Sequence, residues 1–148
     1  MNASSAPADF VALDACHVQI AAHLKRLVGL MDHYDRHGAD AQAQTEAGEI
    51  EAFFSSTSRD HHREEEQRVF PALLTSADAE LAAAVQVLQQ DHGWIEEDWL
   101  ELAPKLRAVH GGQADVDPAE LRHAAQVFGD LCREHIELEE SLVYPEAK

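Results

Sequence analysis

Residues 61–71 read His-His-Arg-Glu-Glu-Glu-Gln-Arg-Val-Phe-Pro, and residues 135–145 read His-Ile-Glu-Leu-Glu-Glu-Ser-Leu-Val-Tyr-Pro. Aligned without a gap, both give His, three residues, Glu-Glu, two residues, Val, an aromatic and Pro. On a helix, positions i and i+4 share a face. His61 with Glu65, and His135 with Glu139, therefore each bring an imidazole and a carboxylate to one point. Nitrogen and hard oxygen donors together suit a transition metal. A single His-x-x-x-Glu is an ordinary solvated helix contact. Two in register, each the same distance ahead of an aromatic-Pro pair, indicate a repeated site.

Working outward, the apolar residues step by three and four along the whole chain, the period of amphipathic helices. Phe10, Leu13, His17, Ile20, Leu24, Leu27, Met31 and Tyr34 form a first stripe, with a helix start near Ser5 and Pro7 and an end at Gly38. A polar link over about residues 38–45 leads to a second stripe of Ile50, Phe54, Thr57, His61, Glu65, Val69 and Ala72. Pro71 is expected to kink or end that helix. The neighbouring row, with Glu51, Ser55, Ser58, His62 and Glu66, is polar, which puts His62 at the surface or behind the ligands. A third stripe runs Leu81, Val85, Leu88, His92, Ile95, Trp99, Leu102, Leu106 and Val109, and Pro104 should bend its helix. Asp117-Pro118-Ala119-Glu120 reads as an N-cap with Pro at the first helical position and Glu set for a capping box. The fourth stripe is Leu121, Ala125, Phe128, Cys132, His135, Glu139 and Leu142.

These stripes predict helices over about 7–37, 46–74, 78–110 and 118–144, in one domain covering residues 1–148. The expected fold is all-α: an up-down-up-down four-helix bundle built from two repeated helical hairpins. Cys16-His17-Val18-Gln19-Ile20 aligns with Asp91-His92-Gly93-Trp94-Ile95, so the repeat covers whole hairpins. Because adjacent helices are antiparallel, His17 falls level with His61, and His92 with His135. His17, His61, Glu65, His92, His135 and Glu139 then meet in one layer of an apolar core. Without metal, the buried carboxylates should be pushed up in pKa. Six ligands exceed what one zinc takes, since structural zinc is four-coordinate. They fit two irons, each with two histidines, sharing two bridging carboxylates and a solvent-derived oxo or hydroxo bridge, with one position open to a small molecule.

The formal charge of −17 argues against nucleic acid and anionic membranes, and no apolar run reaches membrane-spanning length. No signal peptide is visible, and Cys16 and Cys132 make no disulfide framework, which fits a cytoplasmic protein. Both cysteines read as small packing residues, and His23, His33, His37, His110 and His123, which lack matched partners, as surface residues.

The chain resembles the haemerythrin-like family, the HHE cation-binding domain, from about residue 9 to 145. His17, His61-x-x-x-Glu65-Glu66, His92, His135-x-x-x-Glu139-Glu140 and both aromatic-Pro pairs carry the resemblance. It implies a non-haem di-iron centre that binds oxygen or nitric oxide, for sensing, scavenging or delivery, with an unspecified redox partner. Oxygen-carrying members have His-x-x-x-His on the third helix, where this chain has Glu96, and an Asp five residues after the last histidine, where it has Glu139 four after. Glu96 is expected in solvent or behind the ligands. Four histidines with two glutamates look more like the di-iron domain of bacterial proteins linked to nitrosative stress and iron-sulfur repair, whose short cysteine-containing N-terminal domain this chain has no room for. The alternatives are an enzyme reducing nitric oxide or peroxide, and an iron-handling or iron-sulfur repair protein. An enzyme needs a proton donor near the open site, and no residue stands out as one.

Overall fold

The computed structural model describes residues 8–148 and is helical throughout, with no strand among the described residues. The proposed start at Ser5 and Pro7 lies outside them. Asp9 caps the first helix, α1 (Phe10–His37), by accepting from the Ala12 N–H at 3.1 Å. Gly38, at φ 67°, ends it in a conformation that favours glycine. The link to the second helix is shorter than the sequence implied. Asp40 accepts from the Ala43 N–H, so α2 (Ala41–Ser55) begins at once.

The second rod is one helix in direction but not in backbone. It breaks at Ser56, whose hydroxyl donates to Ala52 O at 2.7 Å, and resumes as α3 (Thr57–Glu64). The break shifts the register, so Ser58 is buried and Thr57 exposed, the reverse of the stripe expected there. A π-helical turn, Glu65–Val69, comes next, and then α4 (Phe70–Leu74), with Pro71 in its first turn. The third rod, α5 (Ala79–His110), continues through Pro104 without interruption, and every residue of its predicted stripe is buried. Asp117 caps α6 (Pro118–Leu138) through the Ala119 N–H, a cap that needs no reciprocal contact from Glu120. A second π-turn, Glu139–Val143, leads into α7 (Tyr144–Ala147).

Four rods thus form a closed ring: α1 packs on α2 and α6, and α5 on the same two. Two apolar cores fill it. The larger contains Leu24, Tyr34, Phe54, Trp99, Leu102 and Phe128; the smaller contains Leu13, Phe70, Leu81, Leu88, Val143 and Tyr144. Between them lies a layer of buried polar residues, His17, His61, Glu65, His92, His135 and Glu139. The bundle is therefore supported from both sides of the site. Leu102, fully buried in the larger core, should test this separation. Leu102→Ala is expected to cost about 2–5 kcal/mol in urea unfolding while leaving metal uptake per folded chain unchanged.

Candidate metal centre

Glu65 and Glu139 are both 0% exposed. An unpaired buried carboxylate costs several kcal/mol, so their neighbours decide whether the layer can exist. Glu139 Oε1 lies 3.0 Å from His17 Nε2, and its Oε2 lies 3.4 Å from His135 Nε2. Glu65 Oε1 lies 3.2 Å from His92 Nε2, 3.6 Å from His61 Nε2 and 4.0 Å from His135 Nε2. Each carboxylate thus touches histidines from both hairpins, and the structure brings together all six residues picked out by spacing. Their donor atoms group as His17, His61, Glu65 and Glu139, and as His62, Glu65, His92 and His135, with the atoms of each group within 4.8 Å of one another. Glu65 belongs to both.

The π-turns explain how the glutamates get there. In each, an amide bonds back five residues, Phe70 N–H to Glu65 O and Tyr144 N–H to Glu139 O. The extra residue rotates the helix beyond it. Phe70, Val143 and Tyr144 turn into the core, while Ala72 is exposed and Leu142 only partly buried, contrary to the predicted stripes. Such single π-turns commonly accompany functional sites.

The second glutamate of each doublet has its own place. Glu140 Oε2 lies 3.0 Å from His17 Nδ1, and Glu66 Oε2 lies 3.3 Å from His92 Nδ1. Each half-exposed carboxylate thus reaches a histidine of the other hairpin. Asp91 Oδ2 lies 3.4 Å from His135 Nδ1. The Glu140 and Asp91 contacts are hydrogen bonds of the kind that fix the ring and tautomer of a metal-binding histidine, whereas Glu66 approaches His92 without forming one.

Two contributors were not legible. His62, expected on the polar face, stacks on His92 at 4.2 Å between ring centroids and meets His135 edge-on at 5.8 Å. Its offset of one residue from His61 hid it, although its pairing with an apolar Ile136 in the other repeat was the available signal. Tyr144, read only as an aromatic before proline, donates its hydroxyl to Glu65 Oε2 at 2.6 Å and sits 3.3 Å from His17 Nε2. Phe70 holds the matching position in the first repeat and has no hydroxyl. Glu96 pairs with Arg59 and belongs to neither donor group. His23 stacks on Phe53, His33 pairs with Asp40 and His110 bonds Gln44 O, all away from the layer.

Electrostatics correct one expectation. Burial does push Glu65 upward, but the imidazoles of His135 and His92, with the charge of His61, outweigh it and hold Glu65 below the usual carboxylate range. Burial lowers His61 to about 4 and His62 well below its ordinary value. His135 is raised, because Asp91 and Glu65 outweigh its own burial. Burial also raises Cys16 to about 11 and Cys132 to about 12, so both remain thiols at neutral pH.

Four buried donor atoms have no hydrogen-bond partner among the described residues: both nitrogens of His61, His92 Nδ1 and Glu139 Oε2. Unpartnered nitrogen and carboxylate atoms are unfavourable in a finished core, and His61 Nε2 and Glu139 Oε2, which face the other members of the layer, are the kind that bound cations satisfy. The class defined by fold and site is a cation-binding helical bundle. A model of the Hemerythrin HHE cation binding domain matches residues 9–147, and the chain belongs to that family. It is 28% identical over 131 residues to an uncharacterized protein of Haemophilus influenzae, covering 88% of this chain and 73% of that one. No solved structure shows a significant match. No described helix is long and apolar enough to cross a membrane.

Acid should destabilise the metal-free protein. A histidine lowered on folding stabilises fully above its unfolded value of 6.5, and this is lost as pH falls toward its folded value. For His61 that window is 6.5 to about 4, and His62 acts in the same direction. Glu65, also lowered, adds its loss only below the ordinary carboxylate range, whereas the raised His135 changes only above 6.5. Urea unfolding of metal-free protein should therefore give about 2 kcal/mol less stability at pH 5 than at pH 7 from His61 alone. His61→Leu should flatten the difference; equal stability in the unmutated protein at both pH values would contradict the buried-neutral assignment.

Proposed function

We propose that this is a cytoplasmic di-iron protein that binds a small diatomic ligand, oxygen or nitric oxide, for sensing, scavenging or delivery. His17, His61, His92 and His135, with Glu65 and Glu139 shared, would hold two non-haem irons joined by an oxo or hydroxo bridge. The observation that carries this reading is the pair of fully buried carboxylates, each in contact with histidines of both hairpins, beside orphaned donor atoms. Six nitrogen and oxygen donors without a thiolate suit iron better than a closed four-ligand zinc site. Bound iron would supply an exchangeable coordination position and one-electron redox chemistry.

The chain's own residues complete the arrangement. Glu140 and Asp91 orient imidazoles from behind. A void of about 10 Å³ borders His61, His135 and Glu139, with Ile20, Ile95 and Ile136 forming its apolar side. The test is anaerobic reconstitution with ferrous iron, followed by elemental analysis and optical spectra under oxygen and nitric oxide. About two irons per chain are expected from the donor count, with a spectrum altered by at least one gas. One tightly held zinc with no iron uptake would refute the di-iron reading, and a spectrum indifferent to both gases would leave the metal a structural part.

Tyr144 favours a second reading, reductive turnover of nitric oxide or peroxide. Its hydroxyl, which donates to Glu65, would serve as the proton donor that this reading needs. Burial and the nearby Glu65 carboxylate raise its pKa, so it keeps its proton at neutral pH. Under this reading Tyr144→Phe should slow turnover with an added reductant about 10²-fold or more, the usual contribution of general acid catalysis, with iron content unchanged. Under the binding reading the unmutated protein shows no turnover to lose.

A further inference from the structure

The two halves of the repeat differ where they meet the buried layer. Asp91 precedes His92 and reaches His135 Nδ1; the aligned residue before His17 is Cys16. The pseudo-twofold relation sets Cys16 beside His61 as Asp91 is set beside His135, and Cys16 and His61 line one cleft between α1 and α3. A thiol is only a weak acceptor. A carboxylate oxygen lies within 3.4 Å of Nδ1 of His17, His92 and His135, hydrogen-bonded at His17 and His135; His61 has none, and neither of its nitrogens has a hydrogen-bond partner among the described residues.

The donor groups also differ in kind: His62 completes that of His92 and His135, where the other repeat offers Ile136, and Glu139 completes that of His17 and His61. The cleft that His61 lines is edged by Asp9, Asp60 and Glu64, of which Asp60 pairs with Arg63 and Glu64 with Arg68. The cleft over His62 and His92 carries Glu66 and Glu96 beside Arg59 and Arg63, so charge alone does not separate the two openings.

Taking the proposed two-metal reading as its basis, we infer that the two positions are unequal: the one at His92 and His135 fills first and holds its ion more tightly, and the one at His17 and His61 exchanges more readily. Asp91 and the absence of its counterpart at Cys16 set the difference. They are positioning residues, acting through His135 and His61.

Metal-free protein titrated anaerobically with ferrous iron against a competing chelator should show two steps at least tenfold apart. Removing a carboxylate behind a ligating histidine typically costs about 10–100-fold in metal affinity. Asp91→Cys should therefore weaken the tighter step by about that factor and bring the two together. Cys16→Asp should strengthen the weaker step, and Cys16→Ala should change neither. Asp91 is only partly buried, so its variant keeps the test decisive if Cys16→Asp fails to fold. Two equal steps in the unmutated protein, or an Asp91→Cys variant with unchanged steps, would overturn the inequality alone. No iron uptake at all would overturn the di-iron reading with it.

Discussion

Two carboxylates buried between apolar cores constrain everything else in this bundle. Neither Glu65 nor Glu139 reaches water, and among the described residues neither pairs with an arginine or lysine; the cations available to them are imidazoles. One histidine could not serve both oxygens of either group. Contributions from all four rods are needed, which fixes the relative height of the helices to within a hydrogen-bond length. Helix packing alone tolerates sliding by a turn. The polar layer does not, because a shift by one turn would set the carboxylates against apolar residues such as Leu13, Ile20, Leu88 and Ile95.

The doublet Glu-Glu is where the repeat becomes mechanically informative. The first glutamate of each pair points into the layer, and the second leans across to the histidine of the opposite hairpin. Each hairpin therefore sets a carboxylate beside the other's imidazole. Neither half can build an oriented site alone, which gives a physical reason for two copies in one chain. The exposure of Glu66 and Glu140 follows from the same role. A carboxylate reaching the outer nitrogen of a buried ring must stand at the rim, where solvation offsets its charge.

Periodicity made much of this readable. Stripes with a polar residue in a leucine position located His17 and His92, and the register of the two motifs located the other four members of the layer. The errors have local causes. A straight 3.6-residue period cannot anticipate a π-turn, so it ran past Glu65 and Glu139 to Ala72 and Leu142 instead of to Phe70, Val143 and Tyr144. The break at Ser56 shifted register because a serine hydroxyl competes for a helix carbonyl, an effect that depends on geometry more than on composition. His62 was hidden because, one residue from His61, it falls on a row that is otherwise polar. Tyr144 reads in sequence as an aromatic core residue, and only its height beside Glu65 gives its hydroxyl meaning.

The direction of dependence between fold and site also follows from the arrangement. Apolar residues fill the bundle on both sides of the layer, from Leu13 and Tyr144 at one end to Tyr34 and Val109 at the other. Their burial drives collapse regardless of what occupies the middle. The polar layer works against that collapse until its donors are satisfied, and His61, with both nitrogens orphaned among the described residues, is the least satisfied member. The apolar cores therefore act as the scaffold, and the layer between them is the part whose stability a bound cation would change. A net charge of −17 acts in the same direction, raising the local concentration of cations around the bundle.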